Sequence, residues 1–276
     1  MTDFNPDEET ALAPYFTNTD QACFALRNLP EVVKGALFAR YSRSPETLRR
    51  LFLNEFLDGQ EIPATGGPDP RTGAQRAQAL YERVLGQYGD DSVAQLGSAH
   101  VACEGVSNVL TKVLERGRLM SYLEQSTRYI PYNRKTGQGR WRYVTPVELQ
   151  DDLRDAYESR MDKCFRAYAT CLEKAKAHWR KTRPQRQDEP DPVYQRAVQA
   201  KALDSVRGLL PAATASNLGI HGSGQAFEAL LLRLAAHELH EARATGKAML
   251  AQLKTVIPEF VQRVERPDRG GQWIDF

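Results

Sequence analysis

The sequence predicts an α+β protein, with long helices around a small antiparallel sheet, and two observations predict it. Apolar residues recur at helical spacing over most of the chain, as in 46–57, 193–210 and 225–257. From Ile130 to Val144 the pattern changes: apolar or aromatic residues alternate with charged ones around a glycine-containing turn, the signature of paired strands. A chain of 276 residues can bury a substantial core, and a single domain over 1–276 is expected.

Composition excludes several classes. No apolar run approaches the roughly 18 residues of a transmembrane span, so no membrane partner is expected. Met1–Glu9 is acidic and polar, unlike a secretory signal, which makes the cytoplasm the expected location. A formal net charge of +2 gives no global field for duplex nucleic acid, so the expected partner is small. Four cysteines (Cys23, Cys103, Cys164, Cys171) form no C-x-x-C pair and read as reduced, buried thiols.

Taken in order, Ala13–Asn18 reads as a loop with aromatic anchors, and Pro30 opens a helix through Phe38. Residues 39–45 break it, with Ser44 expected to cap the amphipathic helix of 46–57 and Pro45 in its first turn. Residues 62–73 are rich in proline and glycine and read as a mobile surface loop. A helix at 76–85 follows, and then Asp90, Asp91 and Ser92 cap another near Val93, whose free N–H groups suit a pyrophosphate. Val101–Leu114 is expected to be a buried helix and 130–144 a hairpin. Its aromatics and arginines are also the makings of a base-stacking surface, but paired strands ordinarily carry such aromatics, so no nucleic acid is expected.

Thr145 is expected to cap the longest helix, with Pro146 first and the pattern running to Trp179. The charged, proline-broken stretch near 180–191 reads as a solvated connection, and helices follow at 193–210 and 225–257. Along the last, Arg233, His237, His240 and Glu241 make a polar stripe. His237 and His240 with Glu241 invite a metal reading, but a di-iron centre needs a second such pair and further glutamates, so no metal is expected.

One stretch carries the chemistry: Arg116-Gly117-Arg118-Leu119-Met120-Ser121-Tyr122-Leu123-Glu124-Gln125-Ser126-Thr127-Arg128-Tyr129. Its three guanidinium groups present fixed forks of donors that match phosphate oxygens, and Ser121, Ser126 and Thr127 add hydroxyls. A small phosphorylated ligand is expected there.

The spacing of Arg116, Arg118, Ser121, Glu124, Ser126, Arg128 and Tyr129 resembles the signature of the flavin-dependent thymidylate synthases, the thymidylate synthase complementing proteins. Gly117 stands where that signature has a histidine and Leu123 where it has an asparagine. Supporting elements resemble the family's others: Ala39-Arg40 with Ser42; Gly89, Ser92 and Gln95, with Asp90 and Leu96 in place of histidines; Arg207-x-x-Leu210-Pro211; and Arg233 eight residues before Glu241. The family's Asn-x-Arg pair after Pro211 is absent, as is its glutamine near Val113.

The resemblance spans Ala36–Pro258 and implies a thymidylate synthase-complementing-protein-like fold, assembled as a homotetramer with active sites between subunits. It implies reductive methylation of deoxyuridine monophosphate (dUMP) to dTMP, with FAD as cofactor, methylenetetrahydrofolate as carbon donor and NADPH as reductant. By the same resemblance Arg116, Glu124, Gln125, Ser126, Thr127, Arg128, Arg207 and Arg233 face the nucleotide, with Arg233, Ser126 and Arg128 the catalytic set. Ser42, Ser92, Gln95, Arg116, Gly117 and Arg118 face the flavin. The departures equally suit a relative that binds nucleotide or flavin as a regulatory or structural subunit, since binding alone does not lower a barrier.

Overall fold

The structure, a computed structural model, describes residues 4–42, 44–57, 94–271 and 274. Among the described residues the α-helices, in chain order, are α1 (Pro6–Leu12), α2 (Glu31–Tyr41), α3 (Leu48–Phe52), α4 (Asn108–Leu114), α5 (Asp151–Thr182), α6 (Asp191–Val206), α7 (Gly224–Ala235), α8 (His240–Val256) and α9 (Pro258–Val261). The strands are β1 (Ser98–Ser107), β2 (Met120–Glu124) and β3 (Ala215–Ser223). They form one sheet in the order β1-β3-β2. The α+β expectation therefore holds, with helices dominating a small antiparallel sheet. The expected loop at 62–73 and helix at 76–85 lie outside the described residues.

The described residues fall into two compact units: one of the chain to Ala99 with His221–Ala236 and Gly246 onward, the other of His100–Ile220 with His237–Thr245. In the first, Asn5 and Glu8 close a capping box on α1. Pro30 precedes α2, which buries Val32, Val33, Ala36, Leu37 and Ala39. Thr47, not Ser44, caps α3: its hydroxyl accepts from Arg50 N–H, while Ser44 Oγ accepts from Glu46 N–H. Phe16 packs on Phe52, ring centroids 5.3 Å apart, and Tyr15 on the same ring at 5.0 Å. Arg49 is buried here. Its guanidinium donates to the carbonyls of Thr19 and Gln21 and lies 3.8 Å from the centre of the Phe24 ring.

Elsewhere in this unit Phe260 of α9 is fully packed, and a Cβ built on Gly97 would lie 2.3 Å from its ring. Gly97→Ala is therefore expected to force Phe260 out of place and to cost about 1–3 kcal/mol in denaturant titration, the usual penalty for overpacking.

The second unit is built around α5 and α6, whose Phe165, Tyr168, Leu172, Ala202, Leu203 and Val206 enclose Tyr132. Residues 130–144 are not the expected hairpin. They run as turns with a single bridge, Tyr143 to Thr214. Their aromatics pack on α5 instead, Tyr132 buried and Trp141 and Tyr143 half-buried, 5.6 and 5.8 Å from the Phe165 ring. Three further boundaries differ. Residues 98–107 are strand β1, so only Asn108–Leu114 of the expected helix is helical. The longest helix begins at Asp151, while Thr145 Oγ donates to Glu158 of its second turn. The expected 225–257 helix breaks at 236–239, where His237 Nδ1 accepts the Leu239 N–H at 3.1 Å. The connection at 183–190 is exposed except at half-buried Glu189, which pairs with Arg183 at 2.9 Å. Cys103 is buried as expected, but Cys23 is exposed.

Burial, with a hydrogen bond to Asp162, pushes the Tyr143 phenol up to about 12, and burial raises Tyr132 and Tyr168 as well. A raised folded pKa means stability that is intact below the unfolded value near 10 and lost as pH climbs toward 12. Denaturant stability is thus expected to fall between pH 10 and 12, and less steeply in Tyr143→Phe.

Candidate functional site: an arginine cluster on the second unit

The arginine stretch starts from α4, whose placement is set by Ser107. That buried side chain caps the helix, accepting from Leu110 N–H at 3.0 Å. In turn its N–H and hydroxyl donate to the two oxygens of Glu241, at 2.7 and 2.6 Å. Glu241, read from sequence as part of a polar stripe and of the family's Arg233 spacing, thus anchors the helix that delivers the motif.

Just past α4, Arg116 and Arg118 sit exposed in a turn, with no ion pair among the described residues. Gly117 between them accepts through its carbonyl from the Tyr122 hydroxyl at 2.9 Å. Strand β2 then carries Glu124, half-buried, to a pair with Lys112 at 2.8 Å. Lys112 also bonds Glu115 at 2.9 Å; burial lowers its pKa, but the two carboxylates together outweigh that and leave it raised. Glu124 is therefore not a bare carboxylate.

Beyond β2 the chain turns sharply. Gln125 N–H donates to Asn217 C=O, extending the pairing with β3, and its side chain accepts from the buried Tyr132 hydroxyl at 3.3 Å. Ser126 then holds the turn: its carbonyl accepts the Tyr129 and Ile130 N–H groups, and its hydroxyl accepts that of Arg128 at 3.2 Å. Thr127 is half-buried at the apex. Arg128 leaves this turn toward α6, where its Nε meets Asp204 Oδ1 at 3.1 Å. Arg207, in the single 3-10 turn after α6, meets the same oxygen through its own Nε at 3.3 Å.

Two arginines 79 residues apart in sequence thus converge on one carboxylate, each through its Nε. The three side chains are 41–55% exposed, so the pairs themselves contribute about 0–1 kcal/mol each and yield readily to a stronger anion. Adjoining Arg128 is a cleft of about 430 Å³ walled by Tyr129, Trp179 and the Ala197–Asp204 stretch of α6.

The remaining candidates belong to the first unit. Ser42 ends α2, its hydroxyl donating to Ala39 C=O at 2.9 Å. Gln95 is exposed and its amide donates to Gln225 at 2.6 Å. Arg233 is exposed near the end of α7. Ser92 lies outside the described residues. The structure accordingly gathers Arg116–Arg128 with Arg207 in one unit, while Ser42, Gln95 and Arg233 stand in the other.

The family model of the thymidylate synthase complementing proteins matches residues 38–259. The chain belongs to this family. Among curated relatives, UPF0159 proteins of Chlamydia muridarum and Thermoplasma acidophilum are 41% and 30% identical, over 95% and 83% of the chain. The chain spans about half the length of these relatives, 50% and 48%. A flavin-dependent thymidylate synthase of Mycobacterium marinum is 29% identical over 69% of the chain and 70% of its own length. The crystal structure of thymidylate synthase X from Helicobacter pylori with FAD and dUMP is similar at 13% identity and a TM-score of 0.45, covering 84% of this chain and 94% of that one.

Within the family pattern, Asp204 and Lys112 are the residues that sequence reading missed. Asp204 had a signal: on a helix it lies three residues before Arg207, the spacing of a side-chain pair. Lys112 had the same spacing to Glu115, but nothing in the sequence pointed to its link with Glu124, which crosses from helix to strand. Asn217, near the place of the absent Asn-x-Arg pair, has a structural task, its side chain accepting the Gly105 N–H at 2.9 Å. Among the described residues no three His, Cys, Asp or Glu side chains gather as a metal site.

Proposed function

We propose that this chain is a flavin-dependent thymidylate synthase subunit, converting dUMP to dTMP with methylenetetrahydrofolate as carbon donor and NADPH as reductant. The observation that carries this reading is the convergence of Arg128 and Arg207 on Asp204, two guanidinium forks focused on one anionic group. A dianionic phosphate displaces a shared, half-exposed carboxylate because charge-assisted bonds to both forks exceed the weak pairs lost. Ser126 and Arg128 then hold the phosphate with Arg207, and Glu124, Gln125, Thr127 and Arg116 hold the rest of the nucleotide. Arg233, exposed in this chain, stabilises negative charge developing on a uracil oxygen as a positioned cation.

The donor set suits a flavin dinucleotide. Arg116 and Arg118 are exposed, with no ion pair among the described residues, as a pyrophosphate requires, and Gly117 between them adds no side chain. Ser42, Ser92 and Gln95 complete the proposed FAD contacts. When bound, the flavin supplies the hydride relay from NADPH, and the protein supplies position and charge. The family likeness supports a homotetramer with active sites between subunits, in the cytoplasm. No helix among the described residues is long and apolar enough to cross a membrane.

A second reading, a subunit that binds nucleotide or flavin without turnover, is favoured by the Lys112 bridge to Glu124 and by Gly117. Supplying the chain with FAD, dUMP, methylenetetrahydrofolate and NADPH and measuring dTMP separates them. Steady dTMP production is the expected result; nucleotide binding without dTMP, in the chain and in any longer protein containing it, leaves the second reading.

A further inference from the structure

The cleft beside Arg128 is not needed for a monophosphate. Arg128, Arg183 and Lys201 line it, against the single carboxylate of Asp204. Two of these cations are already answered, Arg128 by Asp204 at 3.1 Å and Arg183 by Glu189 at 2.9 Å. Lys201 has no ion pair among the described residues; its ammonium stands 5.9 Å from the centre of the Trp179 ring. Trp179 is itself fixed, its indole N–H donating to Ser205 Oγ at 3.1 Å. Ala197, Val198 and Ala200 offer no acceptor that would repel an anion, and their small size leaves the space open.

We propose that this cleft seats the outer phosphates of a nucleoside di- or triphosphate whose first phosphate lies at Arg128, with Lys201 as the added contact. The proposal rests on the reading of Arg128 and Arg207 as the nucleotide phosphate site. Charge carries it: a monophosphate is matched by the two converging arginines, whereas a longer chain brings further negative oxygens toward the cation left unanswered. The cleft makes the site responsive to the phosphorylation state of the nucleotide pool, since a triphosphate excludes the monophosphate by sharing Arg128.

The test is an equilibrium titration of the full chain with dUMP, dUTP and inorganic tripolyphosphate, at one ionic strength and without divalent cations. dUTP is expected to bind about tenfold more tightly than dUMP, the effect of one added charge-assisted hydrogen bond at an exposed site. Lys201→Met, which keeps the aliphatic stem on Trp179, is expected to bring the two affinities together without changing that of dUMP, while Lys201→Arg preserves the difference. Equal affinities in the unaltered chain, or a difference that survives Lys201→Met, overturn the proposal. Tripolyphosphate binding that depends on Lys201 while dUMP fails to bind sustains the cleft and removes the nucleotide reading. Binding of none of the three removes both.

Discussion

Arg207→Gln is expected to weaken dUMP binding by about 10–100-fold, because it removes a charge-assisted contact of about 1.5–3 kcal/mol from the proposed phosphate site. The same substitution is expected to leave thermal stability nearly unchanged. Its structural cost is the pair with Asp204, where Arg207 is 41% and Asp204 49% exposed, and such pairs contribute little. Arg128→Gln is expected to behave alike, and the double variant to lose more than either alone, since both forks act on one group. Titration calorimetry alongside a melting curve reads both quantities. Loss of binding with a large fall in melting temperature, or retention of both, contradicts the assignment.

Arg49→Leu is expected to show the reverse, a loss of stability of about 3 kcal/mol measured in denaturant titration, from its charged hydrogen bonds and its contact with an aromatic face. The side chain is 7% exposed, and its guanidinium ties the carbonyls of Thr19 and Gln21 to α3 over the Phe24 ring. Burial lowers its pKa from the usual arginine value, with Asp20 acting in the opposite direction. Arg49→Lys is expected to recover only part of the loss, since an ammonium cannot serve two carbonyls and a ring face with one planar group. A stability change under about 0.5 kcal/mol, the range of ordinary surface substitutions, would show that the 19–24 segment is held by other contacts.

The sequence and the fold agree where one pattern has one meaning. Pro30 and the apolar spacing after it gave α2, because a proline start and a 3.6-residue period have few other outcomes. The spacing from Arg116 to Tyr129 singled out the stretch that carries Arg128, but neither the turn that aims it nor its partner Asp204. Strand β1 was missed for a specific reason. Its buried residues alternate through Ala99 and Cys103, and then Gly105, at φ +68°, shifts the alternation so that Val106 and Ser107 are both buried. A break of this kind in the alternation erases the period-2 signal, and the apolar residues on either side then mimic a helix. Residues 130–144 failed in the opposite direction: Tyr132, Trp141 and Tyr143 alternate with charged residues because they reach α5, not because they pair as strands.

The candidate site divides along the same line. Local chemistry was legible, as in the arginines and hydroxyls of the motif. Partners reached across the fold were not, and Ser107 with Glu241 and Lys112 with Glu124 depend on segments brought together only by folding.

The visible absorption of the purified chain, followed through a titration with dUMP, reads flavin and nucleotide binding in one sample. Flavin bands in the protein, taken up on addition of FAD if not already present, and a spectral shift on adding dUMP that is lost in Arg207→Gln, are the predicted result. A chain that takes up no flavin, and whose spectrum and calorimetric trace ignore dUMP, contradicts the account and leaves the arginine cluster as a structural remnant of the family pattern.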